Sequence, residues 1–179
     1  MPQICLQNTF LHQASPGQGG LAFALIERRI SWMEQHGIEQ WPRAHYLGVF
    51  NQDYFERAAG QGQLWLLRDS KAVLACAVVL EQDERWKGKD SAPAYYVHNL
   101  ASLPQYPGAG GRLLVLLEEK ALRDGKRFLR LDCKTGARKI NAYYRRRGYQ
   151  FAGYFRSEPY NGNLRQKPLA GTTPKRAEN

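Results

Sequence analysis

Between Leu100 and Leu114 the chain reads Leu-Ala-Ser-Leu-Pro-Gln-Tyr-Pro-Gly-Ala-Gly-Gly-Arg-Leu-Leu, the composition of an anion cradle. A strand that turns through glycines into a helix gathers unpaired backbone N–H groups, and the helix dipole adds positive potential there. Glycine permits positive φ and leaves no Cβ between the backbone and an approaching anion. The spacing predicts a phosphate-bearing ligand. An ordinary strand-to-helix turn can carry the same glycines, because Gly-x-Gly alone is a weak signal, so the surrounding motifs decide.

Gln105-x-x-Gly108-x-Gly110, backed by Leu113-Leu114, resembles the pyrophosphate-binding motif of the GNAT superfamily of N-acetyltransferases. Downstream, Ala142-Tyr143-Tyr144-Arg145-Arg146-Arg147-Gly148-Tyr149 is similar to that family's helix ending in Tyr-x-x-x-Gly-Phe/Tyr. The likeness is closest to a bacterial subgroup with Gln-Trp (Gln40-Trp41), an acid-x-x-Trp segment (Asp83 to Trp86), Tyr-x-His (Tyr96 to His98) and Leu-Arg-Leu-Asp-Cys (129–133). It spans residues 3–156. The resemblance implies an α/β (α+β) fold, a mixed and mostly antiparallel sheet flanked by helices. It further implies acetyl transfer from acetyl-CoA, as co-substrate, to an amine through a ternary complex.

For that reaction the resemblance assigns the pyrophosphate to Gln105, Tyr106, Pro107, Gly108, Ala109, Gly110, Gly111 and Arg112. The pantetheine arm pairs with Asn99, Leu100, Ala101 and Ser102 on a splayed strand, where the Leu100 N–H stabilises the developing oxyanion. An amine is mostly protonated at pH 7, so a base or a water relay must remove its proton. His98, Asp83 and Glu81 are the candidates, imidazole being best suited to neutral pH. Each also has a plain reading, His98 as a hydrogen-bonded core residue and Asp83 as a loop carboxylate. Tyr144, four residues before Gly148, matches the family's tyrosine that protonates the departing thiolate and touches the cofactor. A phenol suits the role because its pKa near 10 exceeds that of a thiol.

Tyr143 is turned about 100° around the helix and reads as core. Trp86 either walls the acceptor pocket or caps the sheet, and Asp132 either contacts substrate or pairs with Arg130 or another basic residue. Cys133 shares a face with Leu129 and Leu131, which predicts a buried structural thiol. Two departures from the subgroup stand out. The loop before Gly108 is two residues shorter, and Ala137 occupies a position often held by Asn, with Lys134, Arg138 or Asn141 as substitutes.

The elements that must position these residues follow from periodicity and breakers. Residues 3–10 read as a first strand, and Ser15 to Gly20 as a break. A helix over 21–35 puts Ala22, Ile26, Ile30 and Met33 on one face, and a second helical region covers 43–59. Strands are expected over 63–68 and 71–81, joined by Asp69-Ser70, and over 94–100. After the glycine turn come a helix ending near Gly125, a strand at 128–133, a short helix at 138–147 and a last strand at 149–156. Residues 1–156 thus make a single domain, and the polar, Pro- and Gly-containing stretch 157–179 reads as a flexible tail.

At 179 residues with 43% hydrophobic side chains, the chain is long enough for a real core. It lacks an 18-residue apolar run and the features of a signal peptide, and its three widely spaced cysteines show no metal-ligand pattern. The expectation is a cytoplasmic protein with no membrane partner and no metal, a monomer or homodimer. The net charge of +10 suits the phosphates of coenzyme A and equally an RNA. A small-molecule primary amine is the favoured acceptor. The alternatives are a macromolecular acceptor (a protein amine or aminoacyl-tRNA) and a non-catalytic acyl-CoA-binding module. RNA is compatible but not favoured.

Overall fold

The computed structural model describes residues 6–38, 40–157 and 160–169. Its seven strands lie in the order β1-β2-β3-β4-β5-β7-β6. They are β1 (Phe10–Gln13), β2 (Leu64–Arg68), β3 (Val73–Leu80), β4 (Ala94–Ser102), β5 (Phe128–Lys134), β6 (Gln150–Ser157) and β7 (Tyr160–Pro168). The helices are α1 (Gly19–Gln35), α2 (Arg43–Val49), α3 (Gln52–Gly60), α4 (Ala109–Arg123) and α5 (Arg138–Arg146). The expected mixed, mostly antiparallel sheet with flanking helices is present. Its residues group into two compact units, Met1–Leu80 with Val97–Leu116 and Glu81–Tyr96 with Leu117–Asn179.

In the first unit α1 lies directly against α3. A Cβ placed on Gly19 would come within 2.3 Å of the Glu56 backbone nitrogen, so only glycine fits at this crossing. The same contact caps α1, because the Glu56 carboxylate accepts from the Gly17 and Gly20 amides at 3.2 and 2.9 Å. A carboxylate at a helix N-terminus satisfies orphan donors and opposes the dipole favourably. Ala22, Leu25, Ile26, Ile30 and Met33 then form the buried face of α1 and join Phe55, Leu64, Leu66, Cys76 and Val78 in one core.

Two expectations need correction and a third gains detail. Residues 3–5 of the expected first strand lie outside the described residues, and Leu6–Asn8 form a 3₁₀ turn that Thr9 closes through its hydroxyl onto the Leu6 carbonyl. The strand itself runs over Phe10–Gln13, paired with Arg68 to Trp65. The helical region 43–59 is two helices, because Asn51 caps a new one by accepting from the Tyr54 amide at 3.0 Å. Finally, the stretch expected to be loose holds β7, hydrogen-bonded to β5 on one side and β6 on the other. Two paired edges supply its ladder bonds, so it forms with Leu164 as its one fully buried apolar residue.

The α1–α3 crossing gives a sharp test. Gly19→Ala should lower stability by about 3 kcal/mol through overpacking against backbone that cannot yield. Gly20→Ala, whose Cβ would find nothing nearer than 3.6 Å, should be neutral or stabilising by about 0.5 kcal/mol. Urea denaturation of the two variants checks both signs.

Candidate active site

Strand β4 is not regular. Asn99 has φ +51°, the left-handed region, and no other described non-glycine residue has a positive φ. That conformation costs an L-residue about 1–2 kcal/mol, least for Asn and Asp. Both ends of its side-chain amide are held within the first unit. The Tyr54 hydroxyl donates to Oδ1 at 3.0 Å, and Nδ2 donates to the Tyr46 hydroxyl at 2.6 Å. Those phenols belong to a run of ring contacts through Trp41, Tyr46, Phe50, Tyr54 and Phe55, with centroids 4.6 to 5.1 Å apart. After the kink, Leu100 and Ser102 are half-buried, Ala101 is buried, and the Leu103 amide donates to the Leu74 carbonyl at 2.9 Å.

The glycine turn follows at once. Two tight turns, Tyr106 N–H to Leu103 O and Ala109 N–H to Tyr106 O, bring the chain to the start of α4 at Ala109. Gly108 takes φ +89°. A Cβ at Gly110 would sit 3.5 Å from the Ser102 hydroxyl, so the absent side chain leaves space beside β4. Among the described residues no hydrogen bond engages the Gly108 or Gly110 amide. The Arg112 Nε is buried with no hydrogen-bond partner. A buried guanidinium donor left unmade is costly, and unmade donors at a helix N-terminus are what a pyrophosphate requires. The residues present therefore fit that group. Gln105, Pro107 and Gly108 are exposed, Tyr106 half-buried, and Ala109 and Gly111 buried. His98 lies half-buried on β4.

The second unit holds Tyr144 on α5. It is buried and packs edge-on against Tyr143 and Tyr149, and its hydroxyl has no hydrogen bond among the described residues. Burial, reinforced by Cys133 and Tyr143, raises its pKa above the ordinary phenol value, so the proton is retained. The expectation that Tyr143 is the core residue is reversed. Tyr143 is half-buried with the Arg147 guanidinium 4.9 Å above its ring, while Tyr144 is the buried one.

Other polar candidates in this unit turn out to be engaged. Asp132 accepts from Arg85 Nη1 at 2.5 Å and from the Tyr160 hydroxyl at 2.6 Å. Of the pairings open in the sequence, its ion pair is with a basic residue other than Arg130. Asp83 caps a 3₁₀ turn by accepting from the Arg85 amide, and Glu81 pairs with Lys126 at 3.1 Å while staying largely exposed. Trp86 is buried, with the Arg130 guanidinium 4.7 Å above its ring. Arg130 itself is fully buried. It donates to the Asp90 carbonyl and carboxylate, the Tyr96 hydroxyl and Gln166, and its guanidinium also lies near the Tyr96 and Phe128 rings. Strand alternation sets Arg130 on the face opposite Leu129, Leu131 and Cys133, and it is buried there nonetheless. The partner that hides it, Gln166 on β7, lay in the stretch taken for a tail.

Asn141, one of the candidate substitutes for an Asn at 137, is engaged within the protein. Its Oδ1 accepts from Asn163, Arg165 and the Cys133 thiol, and its Nδ2 donates to the Lys134 and Ala137 carbonyls. Cys133 is buried, and burial pushes its thiol up to about 11, as befits a structural rather than nucleophilic role. Tyr149 is fully buried and donates to Glu118 at 2.8 Å, which also pairs with Lys167 at 2.6 Å.

No protein-family model matches the chain. It is 25% identical over 138 residues to the uncharacterized N-acetyltransferase YesJ of Bacillus subtilis, covering 72% of this chain and 74% of that one. Over 98 residues it is 38% identical to S-alkylcysteine N-acetyltransferase of the same organism, covering 46% of this chain and 54% of that protein. A GNAT-family acetyltransferase from Listeria monocytogenes superposes with TM-score 0.75 at 21% identity, over 90% of this chain and 95% of that one. PaiA N-acetyltransferase from Thermoplasma acidophilum, solved in complex with coenzyme A, has TM-score 0.65 at 12% identity, over 89% and 98%. The glycine turn that opens α4, the kinked β4 and these likenesses agree: the chain has the fold of the GNAT acetyltransferases and is similar in sequence to N-acetyltransferases.

Proposed function

We propose that the enzyme transfers an acetyl group from acetyl-CoA to the primary amine of a small molecule, with an amino acid as the first acceptor class to try. The observation that carries the cofactor reading is the set of unengaged donors at the start of α4: the Gly108 and Gly110 amides and the buried Arg112 Nε. The relative that acts on S-alkylcysteine supports the acceptor class. When bound, acetyl-CoA supplies the activated acyl group. The chain's residues do the rest. The α4 turn binds the pyrophosphate, and the Leu100 amide after the Asn99 kink faces the oxygen on which charge develops. Tyr144, protonated through neutral pH, donates to the departing sulfur. His98 takes the amine proton, directly or through water. Trp86 and Asp132, engaged with Arg130 and Arg85, shape the acceptor side rather than react.

Two outcomes test this. Calorimetric titration with acetyl-CoA should give micromolar binding that survives moderate salt. Arg112→Met should weaken it about tenfold, the value of one charge-assisted hydrogen bond, and Gly110→Val should abolish it. Unchanged affinity in both variants would remove the α4 turn from the cofactor site.

Tyr144→Phe should lower kcat by about 10²-fold or less while leaving the affinity for coenzyme A within about twofold, a split expected of a proton donor. In the parent enzyme, kcat/KM should rise with pH as the amine loses its proton. Because burial raises the Tyr144 pKa, the alkaline fall should lie above the ordinary phenol value near 10. A fall near pH 8 that Tyr144→Phe removes would contradict the assignment. Thiol release from acetyl-CoA with S-methyl-L-cysteine, other amino acids and polyamines reads the acceptor class.

A further inference from the structure

We propose that Asn99 is a positioning residue: its side-chain amide, clamped between the phenols of Tyr46 and Tyr54, fixes the direction in which the Leu100 amide points at the acyl carbonyl of the donor. The inference rests on the reading of β4 as the strand that receives acetyl-CoA, and adds the device that shapes it. The Leu100 N–H belongs to the peptide plane between residues 99 and 100, so the backbone angles of Asn99 set where that N–H points. In a regular strand successive peptide planes alternate into the ladder. A left-handed residue breaks the alternation and turns an amide out of it.

Asn99 holds this geometry at φ +51°. Its amide offers one acceptor and one donor in a single rigid plane, and both are taken, Oδ1 by Tyr54 at 3.0 Å and Nδ2 by Tyr46 at 2.6 Å. The clamp is itself anchored. Tyr54 stands in the first turn of α3, where Asn51 Oδ1 accepts its amide at 3.0 Å, and Tyr46 is buried on α2 between Trp41 and Phe50. Two helices therefore grip one side chain of β4 at the residue where its backbone departs from strand geometry. This assigns a purpose to two buried or half-buried phenols that the transfer reaction does not otherwise use.

The test compares how the full-length protein binds acetyl-CoA and free CoA, which differ in the acyl carbonyl. The parent protein should prefer acetyl-CoA by about fivefold, the value of one hydrogen bond. Asn99→Ala and the double variant Tyr46→Phe/Tyr54→Phe should both reduce that preference to less than about twofold, and the double variant, whose phenols lie outside the cofactor strand, should do so with CoA affinity unchanged. Asn99→Gly keeps access to positive φ without the clamp, and should fall between parent and Asn99→Ala. A general loss of structure would lower both affinities together, and circular dichroism and thermal melting of each variant identify it. Should Asn99→Ala not fold, Asn99→Gly and the double variant carry the comparison. A parent protein with no preference for acetyl-CoA, or a full preference retained in the folded variants, overturns the proposal. Binding of neither ligand by the parent protein overturns the cofactor reading instead, and the clamp's assigned purpose falls with it.

Discussion

The first unit is organised around a strand that is held away from regular geometry. A left-handed residue inside β4 is unfavourable by itself, and it persists because the surroundings over-determine it. Asn99 reaches two phenols; the phenols sit in a run of stacked and edge-on rings; and two of those rings, Tyr54 and Phe55, stand on α3. Helix α3 in turn packs against α1 at Gly19, where nothing larger than hydrogen fits. One close helix crossing thus reaches the β4 backbone through packing, a cap and two hydrogen bonds. Tightly packed interiors transmit displacement in this way because they contain no slack to absorb it.

The second unit solves a different problem, the burial of charge. Arg130 has no exposure, and a lone guanidinium in that position would be prohibitively costly. It is satisfied by a carboxylate, a carbonyl, a hydroxyl and an amide, and faced by three aromatic rings. Asp132, two residues on, is covered by Arg85 and Tyr160, and β7 supplies Gln166 to the first group and Tyr160 to the second. Arginine suits such a site better than lysine, since its planar fork meets several acceptors at once and stacks on rings. Part of the basic surplus expected to face phosphates is therefore spent inside the protein.

The glycine turn, the α4 face and the tyrosine-bearing α5 were legible from the sequence because each rests on local chemistry: glycine conformations, 3.6-residue periodicity and motif spacing. What was not legible depends on residues far apart in the chain. Strand β7 carries Asn161, Asn163, Arg165, Gln166 and Lys167, a pattern that reads as solvent-facing loop. Each of the last four finds a partner in the folded unit, in Asn141, Tyr149, Arg130 or Glu118. The kink at Asn99 leaves a weak trace, an Asn amid apolar residues, and its meaning needs Tyr46 and Tyr54 from 53 and 45 positions away. The Asn51 cap had a local signal, an Asn before Gln-Asp, which was overrun by the apolar pattern on either side of it.

The pairing of the carboxylates bears on how the proposed reaction handles protons. Asp132 accepts from Arg85 and Tyr160, Glu118 from Lys167 and Tyr149, Glu81 pairs with Lys126, and Asp83 caps a turn. Carboxylate lone pairs already engaged by donors are less available to receive an ammonium proton. Such groups suit structure better than proton removal from an ammonium. The proposed function gives that step to His98, half-buried on β4. The phenol of Tyr144, with its pKa raised by burial, has the complementary property of keeping its proton until a strong base such as a thiolate demands it. In this reading the two proton transfers fall to different side chains, and the one that serves the departing sulfur is kept protonated by its buried surroundings.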